Sequence, residues 1–139
     1  MKAILVNDDR SLSWSNVPDP VLKSDEVMVK IEYAALNRAD LMQREGDYPP
    51  PAGCPEWMGL EISGTITEIA DEAKANSNWK IGDKVCALLG GGGYAEYVTV
   101  RYDMLMPIPE NCSMIEAAAI PEAFATAYLN LFIEGKIEK

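Results

Sequence analysis

The feature that most restricts how this chain folds is its punctuation. Short runs of alternating apolar and polar residues recur along the first hundred or so positions, each closed by a proline, glycine or acidic turn. Residues 1–6 form one such run, and residues 12–17 form a second that Pro18 and Pro20 stop. In residues 27–35 the side chains of Val27, Val29, Ile31 and Tyr33 fall on one face, as a period of two requires. Residues 62–69 carry Ile62, Thr65, Ile66, Thr67 and Ile69, and further runs occupy 85–88, 94–100 and 104–108, the last bounded by Pro107 and Pro109. Branched side chains at strand period with turn signals between them predict an all-β barrel or sandwich rather than a layered α/β sheet.

Helical signals are confined to two places. Asn37-Arg38-Ala39-Asp40 opens a helical turn, and residues from 113 onward read as helix. Ser113 and Glu116 have capping-box spacing, Pro121 interrupts, and a second helical run follows over 123–134, with Gly135 at its C-cap. The stretch 71–80 reads as a polar, exposed loop. With 139 residues the chain is one domain's worth, long enough to bury a core, and its last residues read as a cut at a domain boundary.

Composition then removes several functions. A net charge of −10 opposes binding to nucleic acid or to an anionic membrane, both of which need a basic surface. Without a single histidine there is no Ser-His-Asp or Cys-His nucleophile system and no ordinary catalytic zinc site. Cys54, Cys86 and Cys112 are odd in number and widely spaced, so they form neither a disulfide framework nor a metal motif. Three reduced thiols and a start too short for a signal peptide point to the cytoplasm. No apolar run approaches the roughly 20 residues that span a bilayer.

What chemistry remains lies in polar residues on otherwise apolar elements. Asn37 and Asp40, three apart, share a helix face, and Glu61 opens the strand-like run that follows a proline-rich loop, Tyr48-Pro49-Pro50-Pro51. Two elements therefore aim an amide and two acids toward one volume; each residue taken singly also reads as a cap, a rigid turn or a strand start. Glu122 and Thr126, four apart on the second helical run, again share a face. For Glu122 a capping role and a place in a cleft are both open. Gly90-Gly91-Gly92-Gly93 precedes a strand rather than a helix, so it reads as a turn and not a phosphate loop, and no G-x-G-x-x-G occurs. Lys80-Ile81-Gly82-Asp83 reads as a turn with a positive φ at the glycine and an Asx bond from the aspartate.

Taken in order, L-N-R-A-D (36–40), Y-P-P-P-A-G-x-P (48–55), G-L-E-x-S-G (59–64), W-K-I-G-D-K-V (79–85), G-G-G-Y-A-E-Y (91–97) and A-A-A-I-P-E-A-x-x-T-A (117–127) resemble the catalytic domain of the medium-chain dehydrogenase/reductase superfamily. The resemblance is greatest to its zinc-free quinone oxidoreductase branch. Where zinc alcohol dehydrogenases of the superfamily carry a cysteine and a histidine as zinc ligands, this chain has Asn37 and Leu60, and their third ligand falls near Glu122. The resemblance therefore implies no zinc.

It also implies a mainly β fold, a GroES-like, partly open β-barrel with a few short helices, helical at its C-terminal end. Residues 1–125 would form the catalytic domain, and 126–139 a helix leading toward a Rossmann domain that the chain lacks. NADPH, held mostly by that Rossmann domain, would meet Asn37, Asp40, Glu122 and Thr126 here. Tyr48, Leu60 and Glu61 would shape the pocket, with Tyr48 and Asn37 as donors to the developing oxyanion. The implied reaction is hydride transfer to a small-molecule quinone or α,β-unsaturated carbonyl, by a complete protein compatible with a homodimer. The chain alone is expected to be inactive. Two other readings stand beside this one: a stand-alone GroES-like binding module, and an enoyl reductase of the same superfamily.

Overall fold

The computed structural model of the chain describes residues 1–138. Lys139, the last residue of the expected 126–139 segment, lies outside them. The strand alternation is realised as two antiparallel sheets. β1 (Lys2–Val6) and β2 (Leu12–Asn16) form a hairpin. The larger sheet runs β6 (Tyr97–Arg101), β3 (Glu26–Ala34), β4 (Glu61–Ile69), β5 (Lys84–Leu88), β7 (Leu105–Pro107). The sheet curls because β3 slips register against β4 at Met28/Val29 and again at Ile31/Tyr33, and such bulges sharpen the local twist. The hairpin leans on the segment before β6: Ile4 N–H donates to the Tyr94 carbonyl at 2.8 Å, and Glu96 N–H to the Lys2 carbonyl at 3.1 Å. The result is the mainly β, GroES-like fold that the resemblance implies, one of the two architectures, barrel or sandwich, that the pattern of short runs leaves open.

The inward face carries the residues that the alternation selects. Val27 and Val29 from β3, Ile62 and Ile66 from β4, Val85 and Ala87 from β5, and Val98 and Val100 from β6 form one buried cluster. Its tightest point is Gly64, where a Cβ would stand 2.2 Å from the Lys30 carbonyl oxygen. Only hydrogen at that position lets β3 and β4 approach this closely.

Three local readings change. Residues 71–80 are not all loop, because α2 (Asp71–Asn76) forms there and buries Ala73 completely. Six residues are too few to show a helical period, and α2 has no side-chain cap; its start is held instead by Ala70 N–H on the Glu26 carbonyl and Ala73 N–H on the Ser24 carbonyl. Tyr94-Ala95-Glu96 lies outside β6, bonded to β1 through a single bridge. Pro121 does not interrupt a helix but opens one, as the first residue of α4 (Pro121–Tyr128), where a missing N–H costs nothing. α4 then winds on as a wider π turn, Leu129–Glu134. The Ser113 capping box is present at the start of α3 (Met114–Ala117). At the 80–83 turn Gly82 takes φ +94°, and the Asp83 carboxylate accepts the Lys80 N–H at 2.8 Å. No helix among the described residues is long and apolar enough to cross a membrane.

Gly64→Ala should destabilise the domain by about 3 kcal/mol, because a backbone oxygen in a sheet cannot move aside. A urea titration followed by far-UV circular dichroism would measure this, and an unchanged midpoint would mean that β3 and β4 are not so tightly apposed.

Candidate functional site

The polar residues singled out on α1, β4 and α4 converge on one edge of the barrel, and one side chain joins them. Asn37 is the N-cap residue of α1 (Arg38–Glu45), with φ −122° and ψ 161°. Its backbone N–H donates to Asp40 Oδ2 at 2.8 Å, so the aspartate sits in the first turn, where negative charge is favoured. The Asn37 side chain turns the other way, with Nδ2 donating to Glu61 Oε1 at 2.9 Å. Glu61, 2% exposed at the head of β4, uses its other oxygen, Oε2, to accept the Glu122 N–H at 2.8 Å. That N–H belongs to the first turn of α4, whose free amides and dipole suit a carboxylate. Glu61 thus links α1, β4 and α4.

Tyr94 completes the cluster, and sequence reasoning placed it only within a strand. It is 9% exposed, and its hydroxyl donates to the Ala35 carbonyl at 3.1 Å. Asp40 Oδ1 has no protein hydrogen-bond partner, although the residue is buried. Ser63 was also missed. Its hydroxyl donates to the Met114 carbonyl at 2.6 Å and so pins α3 onto β4. Its sequence signal is a small hydroxyl residue between Ile62 and Gly64 in a β-branched run. For Tyr94 the signal is an aromatic that follows four glycines.

The glycines are a packing device. Gly92 N–H donates to the Trp57 carbonyl, Gly93 N–H to Gly59 and Tyr94 N–H to Met58, at 2.8, 3.0 and 3.0 Å. These amides are committed to the chain and not offered to a phosphate. A Cβ on Gly92, at φ +94°, would press 2.9 Å from the Pro55 ring, so the proline-rich loop and the glycine turn fit only without that side chain.

The remaining candidates stand apart from this network. Leu60 is buried, and its carbonyl accepts the Leu89 N–H at 2.7 Å, which ties the head of β4 to the end of β5. Tyr48 is exposed on the loop after α1, and its hydroxyl bonds to no described residue. Thr126 is exposed on α4, one turn beyond Glu122. Glu122 contributes its backbone to the cluster rather than its carboxylate. For a metal at this edge the donors are poor: Leu60 has none, and Asn37 turns its amide nitrogen to Glu61. The exposed hydroxyls of Tyr48 and Thr126 are open to a ligand, whereas the unpartnered Asp40 Oδ1 is buried.

Residues 23–110 match the alcohol dehydrogenase GroES-like domain. The chain belongs to this family. It is 41% identical over 118 residues to the synaptic vesicle membrane protein VAT-1 homolog of Danio rerio, an alignment covering 85% of this chain and 24% of that protein. The quinone oxidoreductase of Thermus thermophilus, solved with and without NADPH, shares 33% identity at a TM-score of 0.77, over 97% of this chain and 41% of that one. JamJ enoyl reductase, in its apo form, superposes at a TM-score of 0.87 with 25% identity, over 99% of this chain and 44% of that one. This GroES-like domain therefore spans less than half the length of these relatives, and it corresponds to the N-terminal part of quinone oxidoreductase-like members of the medium-chain superfamily.

Burial first, then the Asp40 hydrogen bond and the negative charges of Asp40 and Glu61, push the Tyr94 phenol far above its ordinary pKa. The folded state thus holds a proton that the unfolded chain releases near pH 10.0, so stability is complete below that pH and falls as pH rises beyond it. Burial pushes the Cys86 thiol up as well, which starts its own loss near pH 9.0. Tyr94→Phe should therefore flatten the loss of denaturation free energy above about pH 10 while leaving the limb near pH 9 in place. Chemical denaturation at stepped alkaline pH measures both; an identical profile in the variant would mean that the phenol is not held protonated.

Proposed function

We propose that this domain is the catalytic half of an NADPH-dependent, zinc-independent quinone oxidoreductase, inactive until joined to a dinucleotide-binding half. The observation that carries the reading is the Glu61 bridge. It gathers Asn37, Asp40 and the first turn of α4 at one barrel edge, beside the exposed apolar side chains Phe124 and Tyr128. An uncovered apolar helix next to a polar cluster suits a cleft completed by a second body. Residues 1–125 would be the domain proper, and 126–139 the lead into that body. The sequence similarity to a quinone oxidoreductase solved with NADPH supports the choice of cofactor. Three free cysteines favour a reducing compartment, the cytoplasm in this reading.

NADPH, when bound, supplies the hydride. The chain's own residues orient the acceptor, exclude water and stabilise charge. Tyr48 donates its phenol proton as a hydrogen bond to the oxygen on which negative charge develops. Asn37, one amide hydrogen already fixed by Glu61, has a second to offer the same oxygen, and its orientation is set in advance. Asp40 and Glu61 hold Asn37 in place rather than moving protons. Glu122 and Thr126 line the cofactor side along α4, and Leu60 walls the pocket. The acceptor is a small quinone; an enoyl thioester is the alternative that the fold shared with JamJ enoyl reductase favours.

Reading the gene beyond codon 139 is the first test. A strand followed by a glycine-rich turn and a helix is expected, and a stop codon would favour a binding module instead. In the full-length protein, Tyr48→Phe should lower kcat for quinone reduction by about 100-fold and Asn37→Ala by about tenfold. Unchanged turnover in both variants would remove these roles, and a panel of quinones against enoyl thioesters would decide the substrate class.

A further inference from the structure

Tyr94 is held more firmly than a packing residue needs to be. Its N–H donates to the Met58 carbonyl at 3.0 Å, and its own carbonyl accepts the Ile4 N–H at 2.8 Å, so its backbone is fixed from both sides. Gly59 has its missing Cβ 2.4 Å from the Tyr94 nitrogen, which leaves that backbone no room to move. From this fixed point the side chain reaches back to the turn between β3 and α1. The hydroxyl donates to the Ala35 carbonyl at the start of that turn. Asp40 in turn holds the Asn37 N–H. Asn37 therefore sits in a loop that Tyr94 anchors at Ala35 and Asp40 closes at the Asn37 N–H, and Glu61 takes up the amide that the loop presents.

We infer that Tyr94 is a positioning residue for the oxidoreductase site, setting the orientation of Asn37 through the Ala35 carbonyl two residues before it. This rests on the reading of Asn37 as a cleft residue. Tyr94 touches neither substrate nor cofactor, because its hydroxyl points into the domain and is buried. Its phenol stays protonated through the physiological range, so it serves as a constant donor. Removing the hydroxyl leaves the ring in place but frees one end of the turn, and Asn37 then samples orientations that Glu61 alone does not select. The loss is one of alignment, which acts on the chemical step more than on binding.

The test is a double-mutant cycle in the full-length protein, with side-chain amide exchange of Asn37 read by 15N NMR. Tyr94→Phe should lower kcat about tenfold, leave KM for NADPH within about twofold, and speed exchange of the Asn37 side-chain amide. Tyr94→Phe should add nothing on an Asn37→Ala background, because the two residues act in series. Multiplicative losses in the double variant, or unchanged exchange in Tyr94→Phe, would overturn the inference even where each variant is slow. If Asn37→Ala retains full turnover the cleft role of Asn37 fails. If Asn37→Ala is slow but Tyr94→Phe is not, only the positioning role fails. A melting temperature for Tyr94→Phe close to that of the parent excludes general loosening as the cause.

Discussion

The site depends on a buried carboxylate with no cation beside it. Among the described residues neither Glu61 nor Asp40 takes part in an ion pair, so both are held by hydrogen bonds and by helix N-termini alone. Such bonds are worth more than those between neutral groups, and an unmade one at a buried acid costs about 1–3 kcal/mol or more. Glu61 accepts from a side chain on one side and a backbone amide on the other, both at 2.9 Å or less. That single residue ties both α1 and α4 to the barrel, and neither helix is long enough to be stable unaided.

The rest of the barrel supplies a stiff platform for this arrangement. Gly64 lets β3 and β4 close, and the glycine turn at 90–93 meshes with the 55–59 segment by backbone contact. Side chains would prevent both approaches. This close packing connects through Met58 and Tyr94 to the loop that carries Asn37.

The two faces of the C-terminal helix divide the labour. The first turn of α4 points its Glu122 amide inward to Glu61, while Phe124 and Tyr128 are left uncovered, with the Tyr128 and Phe132 rings 5.2 Å apart. The helix is thus anchored at its N-terminus by a buried acid and leaves apolar side chains exposed beyond it.

Much of this was legible in the chain itself. The alternation at Val27, Val29 and Ile31, the Ser113–Glu116 capping box and the turn at Gly82-Asp83 all rest on local chemistry, and a period of two or a cap at fixed spacing needs no distant partner to be recognised. The ordered motifs named the family for the same reason. Six-residue α2 and the opening of α4 at Pro121 escaped because their partners, Ser24, Glu26 and Glu61, lie far away in sequence. Asn37, Asp40 and Glu61 could be named from their positions, but not which atom of each was already spoken for. Tyr94 bonds a carbonyl 59 residues earlier, a contact that no spacing rule encodes. The sequence by itself determined the strands, the turns and the apolar faces, which are set by steric and hydrophobic preferences acting over a few residues. Only the tertiary structure decided which polar groups pair, because hydrogen bonding is directional and short-ranged and is fixed only when the barrel closes.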